Sequence, residues 1–321
     1  MNNPLKLPQK RNRIKVLYIA GSGRSGSTIL GRILGQAEGF FFAGELCKIW
    51  KYGLLENRMC GCGEPFRDCL FWQGVFREAY GGMEKVNSRE LYDLRKKSAS
   101  MRHLPLFLLS GANSLMSGRI ERFSGHLERL YTAIQARAGS RVIVDCSKSV
   151  SYGYVLGSLD TIDLYVVHII RDSRGVAHEK LKRKKYQPGD EKPVYAGRYS
   201  LLESSFTWNV QNLAAEAFWR RTQGRYLKIH YEDFVAKPRE TVERILRMIK
   251  ENVSRLPFVG VHRVQLDSRS HSAAGNPVRF DSGSVEIKPD LEWMGEMSAE
   301  KKIIVTSLTW PLLIKYDYLK R

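Results

Sequence analysis

Acidic residues are the scarce class in this chain of 321 residues: 33 Asp and Glu stand against 52 Lys and Arg, leaving a formal charge of +19. Such an excess points to an anionic partner, either nucleic acid, an acidic membrane surface or a heavily phosphorylated small molecule. Long apolar runs are also missing. Even Leu164-Tyr165-Val166-Val167-His168-Ile169-Ile170 stops at Arg171, well short of the roughly 18–20 residues that a membrane span needs. The basic stretch Lys10 to Lys15 precedes only Val16 to Ala20 as an apolar segment, too short for the core of a signal peptide, so a cytoplasmic protein is expected. With 43% hydrophobic and 11% aromatic residues, the composition is globular, which excludes collagen, coiled coil and low-complexity protein.

Cysteine is sparse too. Of the five, three cluster as Cys60-Gly61-Cys62 and Cys69, with Cys47 a little upstream. The paired C-x-x-C spacing of a zinc site is absent, so no metal site is expected. A disulfide is out of place in a reducing cytosol. Packed free thiols beside Phe71-Trp72 are the expectation.

No internal repeat and no low-complexity linker divides the chain, which suggests a basic tail over residues 1–13 and a single domain over 14–321. Short, continuous apolar segments read as buried parallel strands: Lys15 to Ala20, Phe40 to Ala43, Arg141 to Val144, Asp163 to Ile170 and Arg225 to His230. Helical patterns lie between them. Ile29, Leu30, Ile33 and Leu34 share a helix face after the first strand, and Val242, Ile245, Leu246 and Ile249 do so after Pro238. Alternating strands and helices imply a parallel sheet covered on both faces.

Ligands of such sheets sit beyond the carboxyl ends of the strands. Here those positions are polar: Gly21 to Thr28 after the first strand, Gly44-Glu45 after the second, Asp145 to Lys148 after the third, Arg171 to Gly175 after the fourth and Tyr231 to Asp233 after the fifth. A strand, a glycine-rich turn and a helix make an anion cradle from backbone N–H groups and the positive helix end. The spacing Gly21-x-Gly23-x-x-Gly26, with Glu45 further on, fits a dinucleotide loop. Arg24 within the turn and Ser27-Thr28 opening the helix argue against it. The spacing Gly21-x-x-x-x-Gly26-Ser27-Thr28 also fits a Walker A loop, but Ser27 stands where the phosphate-binding lysine belongs, which argues against a kinase or NTPase. The cation has moved to Arg24.

Arg24-Ser25-Gly26-Ser27-Thr28 resembles the 5′-phosphosulfate-binding loop of sulfotransferases that use 3′-phosphoadenosine-5′-phosphosulfate (PAPS). In that family an arginine after the central strand, with a serine eight positions later, holds the donor's 3′-phosphate. The stretch Val167 to Ala177 is similar, with Arg171 as the arginine, but its eighth following residue is Glu179, so either the register differs or Arg174, Lys180 or Lys182 compensates. Glu45 in Ala43-Gly44-Glu45 resembles the catalytic glutamate of the branch with tyrosylprotein and many bacterial sulfotransferases. Asp145-Cys146-Ser147-Lys148 resembles the segment whose lysine faces the transferring group. His230 to Arg239 looks like the Y-E-x-x-x-x-x-P-R segment, whose tyrosine, here Tyr231, lies near the adenosine. His271 to Phe280, with Arg279, resembles bacterial members, and Lys288 in Ile287-Lys288-Pro289 is a further candidate phosphate contact.

The resemblance implies a three-layer, P-loop-like α/β fold with a central parallel sheet flanked by helices. It implies in-line transfer of a sulfuryl group from PAPS to a hydroxyl or amine. Charge on the departing oxygen calls for Arg24, the amides of Ser25 to Thr28, and Lys148. Glu45, its pKa raised by desolvation, is the expected base, and no metal is required. Plainer roles stand beside these: an ion-paired or capping Glu45, a solvated Lys148, an Arg171 paired with Asp172 or another acid, and a Tyr231 in core packing. His168, within a strand, reads as a satisfied core histidine. Lys180 and Lys182 to Lys185 read as a solvated helix end, or as a contact for an anionic acceptor or membrane surface. No nucleic-acid motif accompanies the charge. The acceptor, a small molecule, carbohydrate, lipid or peptide, is expected to touch residues 74–140 and 180–205. A non-catalytic binder of adenosine 3′,5′-bisphosphate is the alternative, ahead of a P-loop kinase.

Overall fold

A computed structural model describes residues 13–108, 114–182, 199–267 and 270–320, with only the backbone of 114–117. The run Arg183 to Lys185 and most of the 1–13 tail lie outside the described residues. Five strands, β1 (Ile14–Gly21), β2 (Phe40–Gly44), β3 (Val142–Lys148), β4 (Ile162–Ile170) and β5 (Tyr226–His230), form one parallel sheet in the order β2-β3-β1-β4-β5. Helices flank it, so the expected three-layer α/β architecture is the observed one.

The apolar runs are continuous because both faces of the sheet are covered. Val16, Tyr18 and Ala20 of β1 enter one core with Leu127, Tyr131 and Ile134 of the helix Ser114–Ala138. Leu17 and Ile19, on the alternate face, enter a second core with Leu30, Ile33 and Leu34 of helix α1 (Ser27–Leu34) and with Val242, Ile245 and Leu246 of the helix Pro238–Met248. Each fully buried Val, Leu or Ile among them contributes roughly 1.5–3 kcal/mol, so a polar substitution at Leu17 or Val16 would break the layer at its centre. Pro238 starts its helix, where a missing N–H costs nothing.

Strand β3 runs four residues past the expected end. Its polar tail still pairs with β1, Tyr18 opposite Asp145 and Ala20 opposite Lys148, so two steps on β1 face three on β3. The bulge bends the strand end and re-aims its side chains at the cleft. A hairpin of Arg263–Leu266 and Gly283–Glu286 was not expected from the sequence, because strands of four residues carry too little periodicity to register. The chain between them lies along the end of β2, where the Ala273 N–H donates to Ala43 O and the Glu45 N–H to Ala274 O, both at 2.9 Å. Among the described residues no helix is long and apolar enough to cross a membrane.

Candidate active site

The centre of the sheet presents the glycine-rich turn at its carboxyl edge. Gly21 has φ 126°, and a Cβ there would lie 2.3 Å from Ile169 O, so only glycine fits. Arg24, with φ 70°, is one of the few non-glycine residues in the left-handed region, the kind of local strain that gathers at functional sites. Gly26 has φ 76°, and its missing side chain makes room for the Tyr231 ring, 2.8 Å from where a Cβ would sit. Helix α1 then begins with no acidic residue in its first turn and no side-chain cap. Its leading amides and positive dipole end are therefore uncompensated. The hydroxyls of Ser22 and Ser25 are buried and have no hydrogen-bond partner among the described residues. Unsatisfied buried donors around a helix N-terminus suit an oxyanion such as sulfate or phosphate. Arg24, Ser25, Gly26, Ser27 and Thr28 are all brought together here.

Beside the cradle, Lys148 ends β3 with φ 63°. Its Nζ lies 2.5 Å from Glu45 Oε1 and 2.9 Å from Cys146 O, while Lys48 Nζ lies 2.5 Å from Glu45 Oε2. Glu45 is 4% exposed. Burial pushes its pKa up, but the ammonium groups of Lys148 and then Lys48 outweigh that and hold it at about 2. The expected raised pKa is thus corrected: the carboxylate is desolvated between two cations, not alone. Lys148 is likewise paired instead of solvated. Glu45 occupies the start of the short helical turn Leu46–Lys48 but makes no capping hydrogen bond. Lys48 escaped the sequence reading, although its i+3 spacing from Glu45 was a usable signal.

A buried network supports this pair. The Ser147 hydroxyl donates to Asp145 Oδ1 at 2.5 Å and accepts the Cys47 N–H at 2.9 Å, and Tyr131 O–H donates to Asp145 Oδ2. Burial raises the Asp145 pKa to about 6 against those hydrogen bonds. Asp145 thereby fixes the turn that carries Glu45 and Lys48. His168 is the satisfied core histidine that its position suggested, held between Tyr226 Oη at 2.7 Å and Asn212 Oδ1 at 2.8 Å.

At the end of β4 the surroundings change sign. Arg171 is buried; its Nη1 donates to Arg24 O at 2.9 Å, and its Nη2 meets Asp290 O at 2.9 Å and Asp290 Oδ2 at 3.0 Å. Its guanidinium lies 4.6 Å from the Tyr231 ring centroid. The acid beside it is Asp290; Asp172 pairs with Arg174 at 2.6 Å. Carboxylate oxygens of Glu179, Asp290 and Glu292 lie within 4.8 Å of one another, and Lys182, at 3.2 Å, partners Glu179. Lys180 does not lie on a solvated helix end. It is buried, its ammonium 5.0 Å from the Tyr199 ring, and burial followed by the charge of Arg24 lowers its pKa to about 8. Tyr231 and Lys288 line a cavity of about 580 Å³ with Arg174, Asp290 and Trp293. Arg279 is turned elsewhere: its guanidinium is buried and donates to Ser272 O at 2.7 Å and Met59 O at 2.5 Å.

The model of the sulfotransferase family matches residues 85–254, more than half of the chain, and the chain belongs to that family. The matched stretch includes the ends of β3, β4 and β5 but neither the glycine-rich turn nor Glu45, which stand on their own geometry. No curated protein matches the chain. Among solved structures it is similar to the sulfotransferase domain of the Synechococcus PCC 7002 olefin synthase (17% identity over 94% of this chain and 96% of that one, TM-score 0.45). It is also similar to the sulfotransferase domain from the curacin biosynthetic pathway (17%, 92% and 97%, TM-score 0.47). A third is a sulfotransferase from Alicyclobacillus acidocaldarius (11%, 94% and 94%, TM-score 0.43).

Proposed function

We propose that residues 14–321 act as one PAPS-dependent sulfotransferase domain that sulfates a hydroxyl or amine of a small-molecule, carbohydrate, lipid or peptide acceptor in the cytoplasm. The observation that carries the reading is the buried Glu45–Lys148 pair, 2.5 Å apart, beside a cradle in which the Ser22 and Ser25 hydroxyls have no partner among the described residues and no side chain caps the helix. The donor supplies an activated sulfuryl group joined to a phosphate. Arg24, the amides of Ser25 to Thr28 and the buried hydroxyls of Ser22 and Ser25 fit its 5′ end, and Lys180 adds a second cation next to Arg24. The cavity lined by Tyr231 and Lys288 fits the nucleoside end.

Lys148 has two tasks in this reading. With its ammonium on Glu45, the carboxylate is too weak a base to take an acceptor's proton. When the ammonium turns toward the anionic sulfuryl oxygens, Glu45 loses the larger of its two stabilising charges and its basicity rises. The lysine thus couples neutralisation of the leaving oxygen to release of the base. Neither role calls for a metal, because side-chain cations and amides face the charge that develops.

The test is incubation with PAPS and a cellular metabolite extract, followed by a search for mass gains of one sulfuryl group. A thermal-shift series accompanies it, in which adenosine 3′,5′-bisphosphate is expected to stabilise the protein without Mg²⁺ and MgATP to leave it unchanged. Stabilisation by MgATP alone would replace this reading with the kinase one.

A further inference from the structure

The thiols expected to pack beside Phe71 and Trp72 do so, and they also converge on a histidine. Cys60, Cys62 and Cys69 come from the loop between residues 55 and 70, and His271 comes from the chain that joins the hairpin strands. Their ligand-type atoms all lie within 4.8 Å of one another. Cys62 Sγ is 3.7 Å from Cys69 Sγ, and Cys69 Sγ is 3.3 Å from His271 Nδ1. A tetrahedral zinc ion with Zn–S of about 2.3 Å and Zn–N of about 2.0–2.1 Å requires edges of about 3.8 Å between sulfurs and about 3.6 Å between sulfur and nitrogen. The observed separations are close to those edges.

Several features hold the four groups in place. The loop folds back on itself, Cys60 N–H donating to Glu64 O at 2.7 Å and Gly63 N–H to Cys60 O at 3.0 Å. Gly61 N–H donates to Ser272 O at 3.0 Å, and a Cβ on Gly61 would fall 2.3 Å from Ser272 Oγ. Glycine between the first two cysteines is therefore what lets the loop reach the His271 segment. Arg279 bridges the same two stretches through Met59 O and Ser272 O. The Phe71 ring stacks on His271 at 4.9 Å and 10°, which fixes the imidazole plane. Cys60 and Cys69 are buried and Cys62 is half-buried. Contact with the Cys60 thiol lowers the pKa of both Cys62 and Cys69.

We propose that Cys60, Cys62, Cys69 and His271 form a closed structural Zn²⁺ site that staples the loop after residue 55 to the chain around 271. Three thiolates and one imidazole are a soft, four-coordinate donor set that suits zinc. Binding releases the protons of whichever thiols are still protonated. The site is structural because all four positions are protein ligands. Its consequence reaches the active site through the backbone. The stapled chain donates Ala273 N–H to Ala43 O and accepts the Glu45 N–H on Ala274 O, so the metal fixes the segment against which Glu45 is registered. The proposal stands whatever group the protein transfers.

The experiment is elemental analysis of the full chain, purified under reducing conditions without a metal-affinity tag. One zinc per chain is expected in the wild type, and its loss in Cys69→Ser and His271→Ala. His271→Cys supplies a fourth thiolate and is expected to keep the metal, which decides the matter even where His271→Ala fails to fold. Protein grown with Co²⁺ is expected to show thiolate-to-cobalt charge-transfer absorption that Zn²⁺ displaces. Wild-type protein with under a tenth of an equivalent of zinc and no cobalt–thiolate absorption would overturn the site. So would unchanged zinc in both loss variants, or a Cys62–Cys69 disulfide in protein trapped with a thiol-blocking reagent.

Discussion

The two ends of the candidate site, one at β1 and the other at β4, are built on opposite principles. At β1 the glycine-rich turn offers amides and two buried hydroxyls with no partner, and no acid stands in the first turn of α1. At β4 the one buried arginine is already engaged, Arg171 with Asp290, and Glu179 and Glu292 stand close by. An anion entering the glycine-rich turn meets hydroxyls that have no partner to give up, and only Lys148 beside it must leave Glu45. An anion entering the second must draw Arg171 away from a carboxylate or share it. The +19 charge of the chain is thus not spread evenly over the site, and a donor with phosphates at both ends would be gripped mainly by its 5′ end.

The largest test of the first end is Glu45→Gln, which keeps shape and removes the base. Turnover is expected to fall by about 10²–10⁴, the range for general base catalysis, while calorimetric affinity for adenosine 3′,5′-bisphosphate stays within about twofold (~0.4 kcal/mol). Normal turnover would remove Glu45 from the chemistry. Next comes Lys148→Met, expected to cost about 10²–10³ in kcat, as for loss of one charge-stabilising donor. It also carries a pH signature. Glu45 is held at about 2 against an ordinary 4.5, so the unfolded chain binds more protons between those values. The stability this carboxylate contributes is present above pH about 4.5 and is lost as pH falls toward about 2. Removing Lys148 leaves burial opposed by Lys48 alone, so the Glu45 pKa rises and the acid limb of kcat/KM moves to higher pH. An acid limb that stays in place would break the proposed coupling of lysine and base.

How much of this was legible in the sequence differs between the same two ends. The five strands and the turn from Gly21 to Thr28 are contiguous, and four of the strands keep their expected bounds to within one residue at each end. Strand β3 was read short because Asp145 to Lys148 look polar, yet a bulge lets them pair with β1. The family resemblance placed Glu45 and Lys148 at one site, but neither their pairing nor its electrostatics followed from it. The pKa depends on Lys48 as well, and on burial that no local pattern encodes. At β4 the sequence flagged Glu179 as out of place but had no means of finding Asp290, more than a hundred residues away. The cysteine cluster shows the same limit, since its fourth member, His271, lies 202 positions from Cys69.

At the second end, Asp290→Asn removes the competing charge and leaves the backbone carbonyl that Arg171 also uses. Affinity for the bisphosphate is expected to tighten about 5-fold, in line with ~1 kcal/mol for a partly exposed ion pair. The Asp290 side chain is 27% exposed, which keeps the effect at that scale. Arg171→Ala is expected to weaken the bisphosphate far more than an analogue without the 3′-phosphate. Equal losses for both ligands would confine Arg171 to holding the Arg24 carbonyl, and looser binding by Asp290→Asn would contradict the view of Asp290 as a competitor.

The smallest effect falls on a side chain that, like Arg171, touches both ends. The Tyr231 ring fills the space that Gly26 leaves in the turn and lies under the Arg171 guanidinium, while its Oη accepts the Asp290 N–H at 3.2 Å. Tyr231→Phe keeps the two ring contacts and loses only the hydrogen bond. That bond is long and its donor is half-buried, so its loss costs about 0.5 kcal/mol and about twofold in bisphosphate affinity by calorimetry. Tyr231→Leu removes the ring and is expected to loosen the turn and the arginine together, with a larger loss for the bisphosphate and for the analogue without the 3′-phosphate alike. If Tyr231→Phe alone cost as much as Arg171→Ala, the hydroxyl and not the ring would join the two ends, and the division between a preformed end and a neutralised one would have to be redrawn around Asp290.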